Sequence, residues 1–128
     1  CVLMCEPGRA LVATAGSLVV RVEAKKGNLL HINDGTYGGL FDAGSQVKGR
    51  FAVSAIAPKG ERTGEMTAYR FAGPTCCSID MMKGPFMLPA DIVAGDWIEI
   101  QTMGAYSQSI RSDFNGFGAH MRALMAGK

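Results

Sequence analysis

The chain has 128 residues, 48% hydrophobic and 19% charged, with a net charge of +2 and a pI near 8.4. That length suits one domain with a core of its own. The charge is too mild for a nucleic-acid footprint, which wants clustered Lys and Arg, and no apolar run approaches the ~18 residues of a membrane span.

The first five residues, CVLMC, are all apolar and read as a buried strand over 1–6. A chain that opens this way, at Cys1, reads as a piece of a longer polypeptide. No signal peptide is indicated: a basic n-region is missing, and Glu6-Pro7-Gly8-Arg9 breaks the apolar stretch into a turn. ALVATAG (10–16) suits a short helix ended by Gly16. SLVVRVEAKKG (17–27) alternates and predicts a strand; Gly27-Asn28 is a hairpin turn into a second strand, LLHIN (29–33). Residues 34–49 hold five glycines and read as loop. RFAVSAIA (50–57) and EMTAYRFAG (65–73) are further strands separated by the turn PKGERTG. A loop carries PTCCSID and Met81-Met82, and KGPFMLPADIVAGD leaves no clear element. DWIEIQTM (96–103) alternates cleanly, GAYSQS turns, IRSDFNG suits a last short strand, and 119–128 suit a helix. Short strands with Gly/Pro turns every 8–12 residues make the chain mainly β, a barrel or sandwich.

The four cysteines form no disulfide framework. Cys76 and Cys77 are adjacent, so their Cα atoms lie ~3.8 Å apart across a trans peptide, whereas relaxed disulfides want about 4.4–6.8 Å. No C-x2-C or H-x3-H spacing offers a metal site, and His31 and His120 stand alone. A reducing, cytoplasmic setting is the better expectation. Taken by itself, the Cys76-Cys77 doublet leaves a redox pair, a metal site, plain packing and a catalytic position all open.

Four motifs occur in order: EPGR at 6–9, NDGTYG at 33–38, GPTC at 73–76, and GDWIEI…MGAYS…FNGF at 95–117. Together they resemble the C-terminal part of the ornithine/lysine decarboxylase family. These are pyridoxal-phosphate (PLP) enzymes that join a (β/α)8 barrel to a β-domain, the fold of alanine racemase. The resemblance implies that residues 1–16 are the last barrel strand, its EPGR turn and a short helix, and that 17–128 are the C-terminal β-domain.

By the same resemblance, Glu6 faces the cofactor's pyridine nitrogen and keeps it protonated. Gly8 lets the backbone approach the phosphate, Arg9 adds charge beside it, and Tyr106 hydrogen-bonds it. Cys76 matches the catalytic cysteine, which reaches across a homodimer to the partner's cofactor. There it protonates the substrate carbon once carbon dioxide has left. Tyr37 and Phe114 match dimer-interface residues, and Asp42 matches an acid that binds the distal amine of the amino-acid substrate. The lysine that links PLP belongs to the barrel, outside these residues, so the chain alone is expected to be inactive.

Cys77 departs from the family pattern, which reads GPTCD. A neutral thiol stands where a carboxylate would help hold the distal ammonium, which makes Cys77 an altered specificity position. Asp80, three residues on, is expected to serve structure. Other readings stay open: a vicinal redox switch at Cys76-Cys77, or a non-catalytic decarboxylase-like regulatory module.

Overall fold

A computed structural model describes residues 1–125. A short helix α1 (Arg9–Val12) runs into a 3-10 turn at Ala13–Ala15. Six strands follow: β1 (Leu18–Lys26), β2 (Leu29–Ile32), β3 (Val53–Ile56), β4 (Met66–Ala72), β5 (Met81–Pro89) and β6 (Trp97–Ile100). They form one sheet in the order β3-β6-β1-β2-β4-β5. All pairs are antiparallel except β2 and β4. The two edge strands, β3 and β5, touch each other, so the sheet curls into a half-barrel around its own apolar face.

Alternation in the sequence builds that face. Val20 and Val22 of β1 are buried while Val19, Arg21 and Glu23 point outward. Leu30, Ile32, Ile98 and Ile100 fill the same interior. Phe71 of β4 stacks on Phe86 of β5 with ring centroids 3.9 Å apart. Each fully buried side chain of this kind stabilises the fold by roughly 1.5–3 kcal/mol.

Strand β5 was not legible as a strand. Its Gly84-Pro85 pair and Pro89 read as breaks, but β5 is an edge strand, where a proline need not donate to the ladder. Gly84 lies at φ 67, and a Cβ there would meet the Tyr69 carbonyl at 2.6 Å, so the close approach requires glycine. Three other expectations differ from the structure. Residues 1–8 form no strand, because none of the six strands offers them a ladder. Residues 110–116 are not extended: Phe114–Gly116 make a 3-10 turn with Asn115 at φ 53. Residues 119–125 form no helix, and 126–128 lie outside the described residues. No helix among the described residues is long and apolar enough to cross a membrane.

One ion pair staples the far end of the sheet. Arg62, from the turn after β3, grips the buried Asp96 with two hydrogen bonds of 2.7 Å, and the Val93 amide adds a third. Burial pushes the Asp96 pKa up, but the Arg62 guanidinium and the Val93 amide outweigh it and hold the carboxyl below its usual range. The stabilisation is therefore present above the ~3.9 of an unfolded aspartate and fades as pH falls through the lower folded value. Arg62→Leu leaves Asp96 buried without its cation and should cost about 3 kcal/mol. Urea unfolding of the full-length protein at neutral pH measures it, and the loss should shrink in acid.

Candidate cofactor and catalytic site

The predicted residues fall into two groups. The first surrounds α1. Segment 103–106 docks on it through Met103 N–H to Gly16 O (2.8 Å) and Gly104 N–H to Ala13 O (2.9 Å). A Cβ at Gly104 would meet the Val12 carbonyl at 1.9 Å, so only glycine lets the two backbones lie this close. That docking carries Tyr106 to Gly8: a Cβ on Gly8 would stand 3.6 Å from the Tyr106 hydroxyl. Arg9 lies 5.0 Å over the Tyr106 ring and donates to Asp42 Oδ2. Asp42 sits in the 3-10 turn Phe41–Ala43 and is buried. Asp42, assigned from the motifs to the substrate amine, is thus tied to Arg9, which the motifs assign to the phosphate. Glu6 is exposed.

The second group is built on the 73–80 turn. Asp80, 2% exposed, accepts four hydrogen bonds: from the amide and hydroxyl of Thr36 and from the amide and hydroxyl of Thr75. Glycines make room for it. A Cβ at Gly35 or Gly73 would come within 2.3 Å of its oxygens. Thr75 is also held from the other side, because Asn115 donates to its carbonyl at 2.9 Å. The next residue, Cys76, is presented outward in the left-handed region at φ 58. Its Sγ makes only a weak 3.9 Å contact with Pro74 O.

Cys77 is half-buried, with its Sγ 3.3 Å from the Tyr37 hydroxyl. Tyr37 stacks on Phe114 at 4.2 Å, and Ser112 holds the Tyr37 carbonyl through its amide and hydroxyl. The Tyr37 hydroxyl and then the Ile79 amide lower the Cys77 pKa, against opposing effects of burial and the Asp80 carboxylate. The same hydrogen bond to Cys77, followed by burial, raises the pKa of the Tyr37 hydroxyl. Cys76, Cys77, Tyr37 and Phe114 are therefore one cluster drawn from three loops.

Of the residues that position this cluster, sequence reasoning assigned Asp80 to structure and did not single out Asn115, Asp34 or Arg111. Asn115 carried a signal, since Asn-Gly favours left-handed backbone. Asp34 lies in the NDGTYG motif, whereas Arg111 carried no signal. Asp34 accepts both terminal nitrogens of Arg111 at 2.9 Å and the Gly35 and Gly39 amides, which fixes the 34–39 loop. Among the described residues, no hydrogen bond or ion pair runs directly between the two groups.

A hydroxyl over a bare glycine backbone, beside a guanidinium, is a donor set that fits a phosphate. A matching profile spans residues 10–104: the pyridoxal-dependent decarboxylase C-terminal sheet domain. The chain belongs to this family. The profile takes in Tyr37, Asp42, Cys76 and Cys77; Glu6, Gly8, Arg9, Tyr106 and Phe114 lie beyond it. Ornithine decarboxylase of Schizosaccharomyces pombe is 33% identical over 130 residues, covering 88% of this chain and 28% of that protein. Among solved structures, lysine/ornithine decarboxylase from Vibrio vulnificus, complexed with cadaverine, matches with a TM-score of 0.70 and 31% identity. It covers 88% of this chain and 30% of that one. Arginine decarboxylase of Paramecium bursaria Chlorella virus, bound to agmatine, gives a TM-score of 0.74 at 27% identity, over 89% of this chain and 32% of that one. The chain thus spans about a third or less of these relatives' length.

The sheet domain depends on Asp80 to tie the 34–49 loop to the 73–80 turn. Asp80→Ala strands four donors and should destabilise the full-length protein by at least about 3 kcal/mol. Hydrogen exchange should quicken at the Thr36 and Thr75 amides first, and denaturant unfolding should report the overall loss.

Proposed function

We propose that this sheet domain belongs to a PLP-dependent decarboxylase of basic or diamino acids, of the ornithine and lysine type that supplies polyamines. The observation that carries this reading is the pairing of a phosphate-shaped cradle at Gly8, Arg9 and Tyr106 with an outward-facing thiol at Cys76, in a chain of this family. Bound PLP supplies an electron sink for the charge left on the substrate carbon when carbon dioxide departs. The chain's own residues do the rest. Tyr106 and Arg9 would hold the phosphate over the Gly8 backbone, and Glu6 would accept a hydrogen bond from the ring nitrogen and so keep it protonated. Asp42 steadies Arg9 through Oδ2, which leaves Oδ1 for the distal ammonium of the substrate. Cys76 delivers a proton to the substrate carbon. Cys77 lies beside it as the altered specificity position.

The protein acts as a homodimer in this reading, each site combining the cradle of one chain with Cys76 of the other. The outward Cys76, with the half-exposed Tyr37–Phe114 stack next to it, suits a surface that a second chain covers. Four unpaired cysteines suit a cytoplasmic setting.

Hybrid dimers test the shared site. A Cys76→Ala subunit mixed equally with one lacking the cofactor-linking lysine should recover about a quarter of wild-type turnover, since half of random dimers are hybrids with one working site. No recovery would rule out sharing.

A second test addresses Cys77. Restoring a carboxylate should tighten binding of a distal ammonium: Cys77→Asp should lower KM for ornithine or lysine roughly tenfold, ~1.4 kcal/mol. Turnover should change less, because Cys76 and the cofactor contacts stay in place. Kinetics on ornithine, lysine, arginine and an uncharged analogue read the outcome. Preference for the uncharged analogue would move the substrate off diamino acids, and no turnover of any would favour the non-catalytic module.

A further inference from the structure

The adjacent cysteines differ in their surroundings. Cys76 is exposed, held outward at φ 58 by the clamped Thr75. Cys77 is half-buried and shares a hydrogen bond with the Tyr37 hydroxyl at 3.3 Å. Tyr37 is held in turn by its stack on Phe114 and by Ser112 on its carbonyl. We propose that Cys76 and Cys77 form a peroxide-responsive pair, with Cys77 as the attacking thiolate and Cys76 as the resolving thiol.

The thiolate is the nucleophile, so reactivity follows whatever stabilises it. Around Cys77 stand the Tyr37 hydroxyl, the Ile79 and Asp80 amides and the Asp80 carboxylate, and the Cys76 thiol belongs to the preceding residue. The hydroxyl and the amides favour the anion. Burial and the Asp80 charge oppose it, and the balance lies below an ordinary thiol. A low-pKa, reachable cysteine beside a second thiol is the arrangement of redox-sensing sites.

The chemistry balances with a hydroperoxide as oxidant. Cys77 Sγ attacks the terminal oxygen; the O–O bond breaks, the leaving oxygen departs as hydroxide and takes a proton to become water. Sulfur is oxidised to sulfenic acid. Cys76 Sγ then attacks that sulfur, the S–O bond breaks, the hydroxyl leaves as water with the Cys76 proton, and an S–S bond forms. Two thiols and one hydrogen peroxide give one disulfide and two waters. Because the Cα atoms of neighbours are ~3.8 Å apart, below the relaxed range of about 4.4–6.8 Å, the bond is strained and readily reduced. The switch is therefore reversible. Its consequence, withdrawal of the proton donor Cys76, rests on the function proposed above; the thiol chemistry does not.

The test uses the reduced full-length protein, titrated with hydrogen peroxide and read by peptide mass mapping, with no turnover needed. The peptide holding residues 76 and 77 should lose two hydrogens and regain them with a dithiol reductant. Cys76→Ser should leave a sulfenic acid on Cys77 that dimedone traps. Cys77→Ser should give no disulfide and slow oxidation to the rate of glutathione. Tyr37→Phe keeps the stack on Phe114 but removes the hydroxyl. It should slow oxidation roughly threefold, the scale of one modest hydrogen bond, and raise the midpoint of the rate–pH profile. Three results would overturn the proposal: a pair that stays reduced at peroxide levels that oxidise glutathione, a first sulfenic acid on Cys76, or a Tyr37→Phe protein with unchanged rate and midpoint. A protein that forms the disulfide but decarboxylates nothing would leave this proposal standing and remove the enzymatic one.

Discussion

A single buried carboxylate organises the functional end of this domain. Asp80 stands at the mouth of β5 and collects two donors from the 34–49 loop and two from the 73–80 turn. An anion removed from water costs several kcal/mol unless donors surround it. The donors come from two segments that leave the paired strands β2 and β4 side by side, and satisfying the charge locks these loops to one another. Thr36 fixes the neighbourhood of Tyr37, and Thr75 fixes the backbone before Cys76. The positions of both rest on the same two oxygens. The glycines of NDGTYG and GPTC belong to the same constraint, because at Gly35 and Gly73 any side chain would occupy the space of the carboxylate.

The parts legible from sequence are those set by local pattern. Strands β1, β2, β3, β4 and β6 were readable because apolar residues alternate along them and turn residues bound them. The hairpin at Gly27-Asn28 stands where predicted, with Gly27 at φ 56. Strand β5 was hidden because Gly84 and Pro85 carry the same signature in a turn and on a sheet edge. Only the order of strands, a non-local property, tells the two apart. The same distinction runs through the site. Residue identities in EPGR, GPTC and MGAY could be read from motifs. The joining of Arg9 to Asp42 across 33 positions, and of Asp34 to Arg111 across 77, depends on packing that no short window contains. IRSDFNG failed as a strand for a related reason. Asn115 is drawn into left-handed backbone while its side chain holds Thr75.

Two of the candidate site residues, Cys76 and Tyr106, stand at positive φ, 58° and 65°. Neither is a glycine, and each such conformation costs on the order of 1 kcal/mol. Both are held there by their neighbours: Cys76 by the clamp on Thr75, Tyr106 by the docking of 103–104 against α1. In each case the turn aims a polar side chain away from the sheet, where a regular strand would have alternated it back. The sheet thus keeps its core rigid and presents these two side chains from turns at positive φ on its rim.

The thiol at position 77 follows from the same electrostatics. The Tyr37 hydroxyl needs an acceptor, and Cys77 Sγ provides one at 3.3 Å. A carboxylate would accept that bond more strongly, but it would add a second negative charge next to Asp80, whose field already opposes ionisation of Cys77. A thiol stays neutral or ionises in part, so it places less charge beside Asp80. With cysteine there, Tyr37 keeps its partner and Asp80 keeps its four donors without a second carboxylate beside them.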